Sequence, residues 1–199
     1  METIKQKNIS AADYKNYFTN GTTFKDYFLG VEKDAALNAN EGQLSYVPMN
    51  LQRMKRILKT MQLTEEIKQA IKNLKERRNW LLISEHWCGD ASQISPVIHT
   101  IAENSNDMID LRIVYRDKNP ELIDAHLTNN ARDIPKLIQL DSDFNITGIW
   151  GPRPIEAQTL VKKLKSNPET AATYAESLHK WYTADKQQAI QNELLELLK

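Results

Sequence analysis

Cys88 is the only cysteine in a chain of 199 residues, and it lies in the stretch WCGDAS at residues 87–92. A single thiol cannot close an internal disulfide, so nothing indicates a secreted, disulfide-stabilised protein. As a thiolate it can still attack a disulfide and hold the mixed disulfide until a second thiol releases it. It can also be oxidised to a sulfenic acid. The candidate chemistry of the chain is therefore thiol exchange or reversible oxidation at Cys88.

Other kinds of site find little support in the sequence. The four histidines, His86, His99, His126 and His179, lie in separate segments, so we predict no metal site. There is no Gly-rich phosphate loop, HExxH or GxSxG motif, and we expect no cofactor. The 26 basic side chains balance 26 acidic ones, which gives no reason to propose nucleic acid or acidic lipid as a partner.

The apolar segments of the chain are short. The longest run, WLLI at residues 80–83, cannot cross a membrane. Residues 1–10 lack the apolar run of a signal peptide. We therefore predict a cytoplasmic protein that has no membrane contact.

The elements around the cysteine predict a small mixed sheet. WLLIS at residues 80–84 is typical of a central strand that is covered on both faces. An apolar stripe of helical spacing follows the cysteine, formed by Ile94, Val97, Ile98 and Ile101. Further strands are predicted at residues 109–117, 136–141 and 146–150, the last two as a hairpin, with helices at 121–126 and 155–165. This order indicates an α/β sheet with helices on both faces.

Helical extensions are predicted on either side of this domain. We assign residues 1–78 to an N-terminal extension, 79–165 to the α/β domain and 166–199 to a C-terminal extension. The first extension is rich in aromatic residues, which we interpret as core rather than as a ligand pocket: Tyr14, Tyr17, Phe18, Phe24, Tyr27 and Phe28. The final stretch, NELLELLK at 192–199, is predicted to dock on its own domain rather than to serve as an interaction peptide.

Residues 79–165 resemble the thioredoxin-like superfamily in three motifs that occur in the right order on the right elements. Trp87-Cys88-Gly89 stands where thioredoxins have W-C-G-P-C. DKNPEL at 117–122 follows the second strand, and ARDIPKLIQLD at 131–141 resembles the segment that carries the thioredoxin cis-proline. The WCGD form, with WGPRP at 150–154, resembles a bacterial thioredoxin-like family with helical extensions. The resemblance implies an α/β thioredoxin fold with N-terminal and C-terminal helical extensions.

Three positions depart from the thioredoxin pattern. The second motif cysteine is Ala91, the motif proline is Asp90, and Leu82 stands where thioredoxins carry a buried aspartate. Without a resolving thiol, that buried carboxylate would have no proton to move and would only cost stability. The departures therefore argue against a dithiol reductase.

The resemblance also implies where a partner would bind. Cys88 is placed at a helix N-terminus as the catalytic thiol, and a cis peptide bond before Pro135 would present the backbone of Ile134 to an incoming peptide or thiol. The predicted site residues are the catalytic Cys88 and the substrate-binding Trp87, Gly89, Asp90, Ile134 and Pro135.

The charges near Cys88 act in opposite directions. The helix N-terminus lowers the pKa of a thiol, Asp90 opposes this, and a protonated His86 would support it. We expect a pKa somewhat below the roughly 8.5 of a free cysteine. Arg132 and Arg153 could receive a carboxylate, although we expect both to be solvated surface residues. Gln93 is expected either to form a hydrogen bond near the site or to face solvent.

Two functions are compatible with these residues. The first is monothiol–disulfide exchange, with a client protein or a low-molecular-weight thiol such as glutathione as partner. The alternative is a non-catalytic thioredoxin-fold binding module. An exposed, reactive Cys88 would favour exchange. A buried Cys88, covered by the extensions, would favour binding.

Overall fold

A computed structural model describes residues 9–199. The prediction that residues 1–10 contain no signal peptide therefore falls mostly outside the described residues. The helices are α1 (Ala11–Asn20), α2 (Phe24–Ala36), α3 (Val47–Thr60), α4 (Glu65–Asn73), α5 (Gly89–Glu103), α6 (Pro120–Asp124), α7 (Ile155–Ser166), α8 (Pro168–Ala171), α9 (Tyr174–Asp185) and α10 (Gln188–Leu194). The strands are β1 (Arg78–Ser84), β2 (Ile109–Tyr115), β3 (Lys136–Leu140) and β4 (Ile146–Trp150). Three short 3-10 helices cover Gln43–Tyr46, Arg116–Lys118 and Leu195–Leu198.

The four strands form one mixed sheet in the order β2-β1-β3-β4. β1 pairs in parallel with β2 and antiparallel with β3, and β3 and β4 form the predicted hairpin. Leu82 sits at the centre, opposite Ile113 on β2 and Leu137 on β3. Residues 80–84 are buried, as predicted for a strand covered on both faces.

Each face of the sheet carries its own core, because successive side chains of a strand point to opposite faces. Trp80 and Leu82 belong to the larger cluster, which packs against α2 to α5, α7, α9 and α10. Leu81 and Ile83 belong to the smaller cluster, which includes residues of α1 and α6 and also Cys88. Burial of each such Leu or Ile side chain contributes roughly 1.5–3 kcal/mol. Both clusters include side chains from the extensions, so the extensions supply much of the core.

The N-terminal extension covers both faces of the sheet. Ser10 and Asp13 form a capping box that starts α1. Thr64 caps α4 as its position predicts, its side chain accepting a hydrogen bond from the Ile67 N–H. Four of the six predicted aromatic core residues are buried, namely Tyr14, Phe18, Phe24 and Tyr27.

The C-terminal extension docks on the domain, as predicted. Leu194 and Leu198 are buried, and Glu193 accepts a hydrogen bond of 2.8 Å from the indole Nε1 of Trp150. The side chain of Gln191, which is fully buried, accepts from the Thr64 N–H and donates to the Gln62 carbonyl. The two extensions therefore contact each other as well as the domain. Among residues 9–199, no helix is both long enough and apolar enough to cross a bilayer.

Candidate functional site around Cys88

A pocket of about 1200 Å³ lies at the N-terminal end of α5. Residues of both extensions line it, from the 3-10 helix Gln43–Tyr46 and α3 on one side and from α9 on the other. Five of the six predicted site residues are in its lining: Trp87, Cys88, Gly89, Asp90 and Ile134. Pro135 is buried next to Ile134, and the peptide bond that joins them is cis. The structure thus brings the predicted site residues together.

Cys88 forms the N-cap of α5 and is 6% exposed. Its Sγ accepts a hydrogen bond from the Ala91 N–H at 3.4 Å. The thiol donates to the Ile134 carbonyl oxygen, also at 3.4 Å. Both contacts are weak because sulfur is a weak donor and acceptor, and the second requires the protonated thiol as donor.

The prediction of a lowered thiol pKa is wrong. Burial, and then the negative charge of Asp90, raises the pKa of Cys88 to about 12. The N–H groups of the α5 first turn and the charge of Arg153 act in the opposite direction but are outweighed. His86 gives no compensating contact, because its ring binds Asp34 at 2.7 Å and the Tyr115 hydroxyl at 3.0 Å. Burial was the factor that the sequence did not reveal.

Asp90 is the most strongly bound residue of the motif. Its Oδ2 accepts hydrogen bonds from Arg153 Nε at 2.8 Å and Nη2 at 2.7 Å, and its Oδ1 accepts one from the Tyr182 hydroxyl at 2.8 Å. The expectation that Arg153 is a solvated surface residue is wrong, because a carboxylate that is 7% exposed requires a partner. Burial alone would lower the pKa of Arg153, but the Asp90 carboxylate raises it above its ordinary value.

Gly89 is the point at which both extensions reach the motif. A Cβ at this position would lie 3.0 Å from Nε2 of His179 on α9 and 3.6 Å from Nη1 of Arg53 on α3. Burial, and then the charge of Arg53, lowers the pKa of His179 to about 4. Gln93 is buried, and its Nε2 lies 3.3 Å from Nδ1 of His179, so the first alternative for Gln93 is correct.

The remaining predicted residues form the opposite wall. Trp87 is half-buried, and the guanidinium of Arg116 lies 4.6 Å from the centre of its ring. Arg132 is half-exposed and binds Asp124 through two hydrogen bonds of 2.6 and 2.7 Å. Arg132 therefore lies at the surface, as expected, but its charge is already paired.

Sequence reasoning missed three residues that shape the site. Arg53 lies in a helix of ordinary amphipathic pattern, and Tyr182 is one of several aromatic residues in the C-terminal extension. His179 was interpreted as an isolated histidine. None of them carries a local signal, because each reaches the motif from a helix that contains none of the three thioredoxin motifs. In residues 9–199, no group of three or more His, Cys, Asp or Glu side chains is arranged to hold a metal ion.

Comparison with known proteins establishes the fold and the family. A protein of unknown function from Pseudomonas aeruginosa has a similar structure, with a TM-score of 0.58 and 17% identity over 90% of this chain and 98% of the other. An HIV epitope-scaffold has a TM-score of 0.55 with the same identity and coverage. Comparison with curated proteins found no match.

A sequence profile of a family described as Thioredoxin matches residues 36–165, which are 130 of the 199 residues. The match begins within the N-terminal extension and ends with α7. With the mixed sheet and its flanking helices, it confirms the predicted thioredoxin fold. The chain therefore belongs to this thioredoxin family.

Proposed function

We propose that the protein is a thioredoxin-fold binding module whose pocket at the motif receives a peptide segment of a client protein. The observation that carries this proposal is the pocket itself, which has walls from both extensions. Its volume of about 1200 Å³ exceeds the roughly 300–1,000 Å³ of common small-molecule sites. Ile134 in the pocket wall supplies backbone where a peptide would lie.

The state of Cys88 supports binding rather than catalysis. With a pKa of about 12, on the order of one thiol in 10⁵ is ionised at pH 7. Exchange requires the thiolate, so the resting protein is a poor nucleophile. Ala91 offers no second thiol.

The other motif residues support the same proposal. Asp90, which replaces the thioredoxin proline, ties α5 to Arg153 and to Tyr182 of α9. Gly89 leaves room for His179 of the same helix. The motif thus positions the walls of a pocket, a use that does not depend on redox chemistry.

The test is a selection of heptapeptides from a random display library on the native protein. Ala175 is exposed and lines the pocket, so Ala175→Trp narrows the pocket without changing the core. We expect selected peptides to bind the native protein and to lose at least about tenfold in affinity for Ala175→Trp. Failure to select any peptide, or equal affinity for the two proteins, would contradict the proposal.

Monothiol exchange is the second candidate, as the resemblance to bacterial WCGD-type proteins implies. One observation favours it: Cys88 lines the pocket, and its Sγ accepts a hydrogen bond from an N–H group in the first turn of α5. Its partner would be a client disulfide or a thiol such as glutathione, in a cytoplasm that keeps a lone cysteine reduced. Incubation of the native protein with oxidised glutathione distinguishes the candidates. One stable adduct per chain at Cys88 supports exchange, whereas modification only after denaturation supports binding.

A further inference from the structure

We propose that the pocket selects acidic peptides and that Arg53 is the residue that receives their carboxylate. This inference rests on the proposed binding function and names its ligand class. It differs from the expectation drawn from the motif, in which Arg132 and Arg153 were the candidate carboxylate receptors.

Cationic side chains outnumber carboxylates among the residues that line the pocket. Three carboxylates line it, those of Asp90, Asp133 and Glu176. Five cationic side chains line it: Arg53, Arg116, Arg132, Arg153 and Lys180. Four of these cations have a carboxylate within 2.9 Å, in the pairs Arg116–Asp117, Arg132–Asp124, Arg153–Asp90 and Lys180–Glu176. These four charges are already balanced by the protein, two of them by carboxylates outside the lining. The lining charges outside these pairs are the cation of Arg53 and the carboxylate of Asp133.

Among residues 9–199, the hydrogen-bond partners of Arg53 are neutral groups. Its guanidinium donates to Oδ1 of Asn50 at 2.8 Å and to the sulfur of Met49 at 3.0 Å. Within residues 9–199, no carboxylate forms an ion pair with it. Asn50 is fully buried and donates to the His86 carbonyl, so the partner that orients Arg53 is itself fixed to the backbone beside the motif. The guanidinium is therefore held in place without being neutralised.

The surroundings of Arg53 favour an anion. Arg53 is half-buried, and burial lowers its pKa while the charge of Asp90 acts in the opposite direction. A partly desolvated cation gains from a carboxylate that binds it by charge-assisted hydrogen bonds. Nη1 of Arg53 lies 3.6 Å from the point that a Cβ would occupy at Gly89, the first residue of α5. A ligand carboxylate at this point would lie next to the motif.

The rest of the lining indicates a peptide rather than a small inorganic anion. Tyr46 and Met49 are 63% and 60% exposed at the α3 side. Trp87, Ile134 and Leu178 add apolar surface deeper in the lining. One free cation beside a broad apolar wall fits a segment in which an acidic residue is flanked by apolar ones.

The first experiment repeats the heptapeptide selection on the native protein, on Arg53→Gln and on Arg56→Gln. Arg56 lies on the same helix but outside the pocket lining. Its variant is a matched control, because it changes the net charge by the same amount without changing the pocket. We expect peptides enriched in Asp or Glu beside apolar residues on the native protein and on Arg56→Gln. On Arg53→Gln the acidic enrichment should be lost.

The second experiment measures coupling with one selected peptide and its Glu→Gln twin. We expect that either change, in the peptide or at Arg53, weakens binding about tenfold or more. The two changes together should weaken it no further than one alone, because they remove the same interaction. Arg53→Lys keeps the charge and should retain part of the affinity, which tests the inference even where Arg53→Gln folds poorly.

The outcomes separate this inference from the function on which it rests. Neutral apolar peptides that bind the native protein but not Ala175→Trp would overturn the role of Arg53 and leave the binding module intact. Acidic peptides that bind Arg53→Gln as tightly as the native protein would also overturn it. Selection of no peptide at all would contradict both.

Discussion

The thiol and the carboxylate of the WCGD motif differ in how firmly the protein holds them. On the thiol side, Cys88 makes two contacts of 3.4 Å, with Ala91 and Ile134. On the carboxylate side, Asp90 makes contacts of 2.7 and 2.8 Å with Arg153 and Tyr182. Both side chains are buried to a similar extent, at 6% and 7% exposure. The difference is therefore one of bonding and not of burial, because the thiol is a weak donor and acceptor whereas the Asp90 carboxylate forms charge-assisted hydrogen bonds.

This comparison shows which residue the fold depends on. A buried carboxylate is costly unless it is paired, so its partners must be fixed. A buried thiol behaves as a small apolar group and needs no partner. The position that a thioredoxin uses as a proline between two thiols has become the anchor of the C-terminal extension, while the remaining thiol has lost the conditions for ionisation.

The largest expected effect concerns the thiol side. At pH 7.4, iodoacetamide should alkylate Cys88 in the native protein at least about a hundredfold more slowly than a free cysteine, because the raised pKa leaves so little thiolate and the greater nucleophilicity of that thiolate offsets only part of the loss. The measurement is the alkylation rate between pH 6 and 10, followed by mass spectrometry. The same protein in urea serves as the control and should react at the rate of a free thiol. A rate that levels off below pH 8 would show that Cys88 is ionised in the native protein.

The carboxylate side should dominate stability. Asp90→Ala removes one partner of a buried pair and leaves Arg153 uncompensated, which should lower the free energy of unfolding by about 3 kcal/mol. Cys88→Ala should cost only about 1 kcal/mol, because it loses two weak contacts and little volume. Urea unfolding of both variants makes the comparison. Equal losses would mean that the short contacts of Asp90 do not outweigh those of the thiol.

The histidines on the two sides should respond to acid. Burial, and then Lys136, lowers the pKa of His126 to about 4, and the pKa of His179 is lowered to a similar value. A depressed histidine pKa means that the unfolded chain binds the proton first, so stability is full above about pH 6.5 and falls as the pH approaches 4. We expect each to contribute about 1–2 kcal/mol to this loss, allowing for partial exposure.

Substitution of His126 separates the two sides. Its Nε2 lies 2.7 Å from the hydroxyl of Tyr14, which is in the same core cluster as Cys88. In His126→Gln, the fall in melting temperature from pH 6.5 to 4 should be smaller than in the native protein. His179→Gln should likewise reduce the fall in melting temperature, because His179 lies on α9, the helix whose Tyr182 binds Asp90. An unchanged profile in both variants would assign the acid sensitivity to other groups.

The smallest expected effect is on catalysis. Ala91→Cys restores the second motif thiol at a position with no exposure, but Leu82 still occupies the place of the thioredoxin aspartate. Dithiothreitol-driven insulin reduction by this variant should stay within about threefold of the uncatalysed rate, since slow deprotonation limits resolution. The native protein is the control and should show no turnover. Strong turnover by either protein would restore the reductase interpretation.

Sequence patterns predicted most of the fold because the strands and helices are local features. β1 has a continuous apolar run, and the stripe of Ile94 and Val97 marks α5, so their order was sufficient to predict the mixed sheet. Thr64 and the apolar end of the chain likewise carried local signals for a helix cap and for docking.

The candidate site was predictable only in part. The motif and the Ile134–Pro135 segment located it, but the pKa of Cys88 depends on how fully the surrounding elements cover the thiol. The roles of Arg53, Arg153 and Tyr182 depend on contacts between segments that are up to 92 residues apart. Such contacts arise from packing and leave no periodicity in the sequence.

The bonds of Gln191 have a consequence for cooperativity. This one side chain joins Thr64 and Gln62, which lie 127 and 129 residues earlier in the chain. The two extensions are therefore linked to each other on one face of the sheet. If α10 opens, the Thr64 N–H at the start of α4 loses its hydrogen-bond partner. The amide protons of α4 and α10 should then exchange as a single unit, because neither helix can open without breaking the bonds of Gln191.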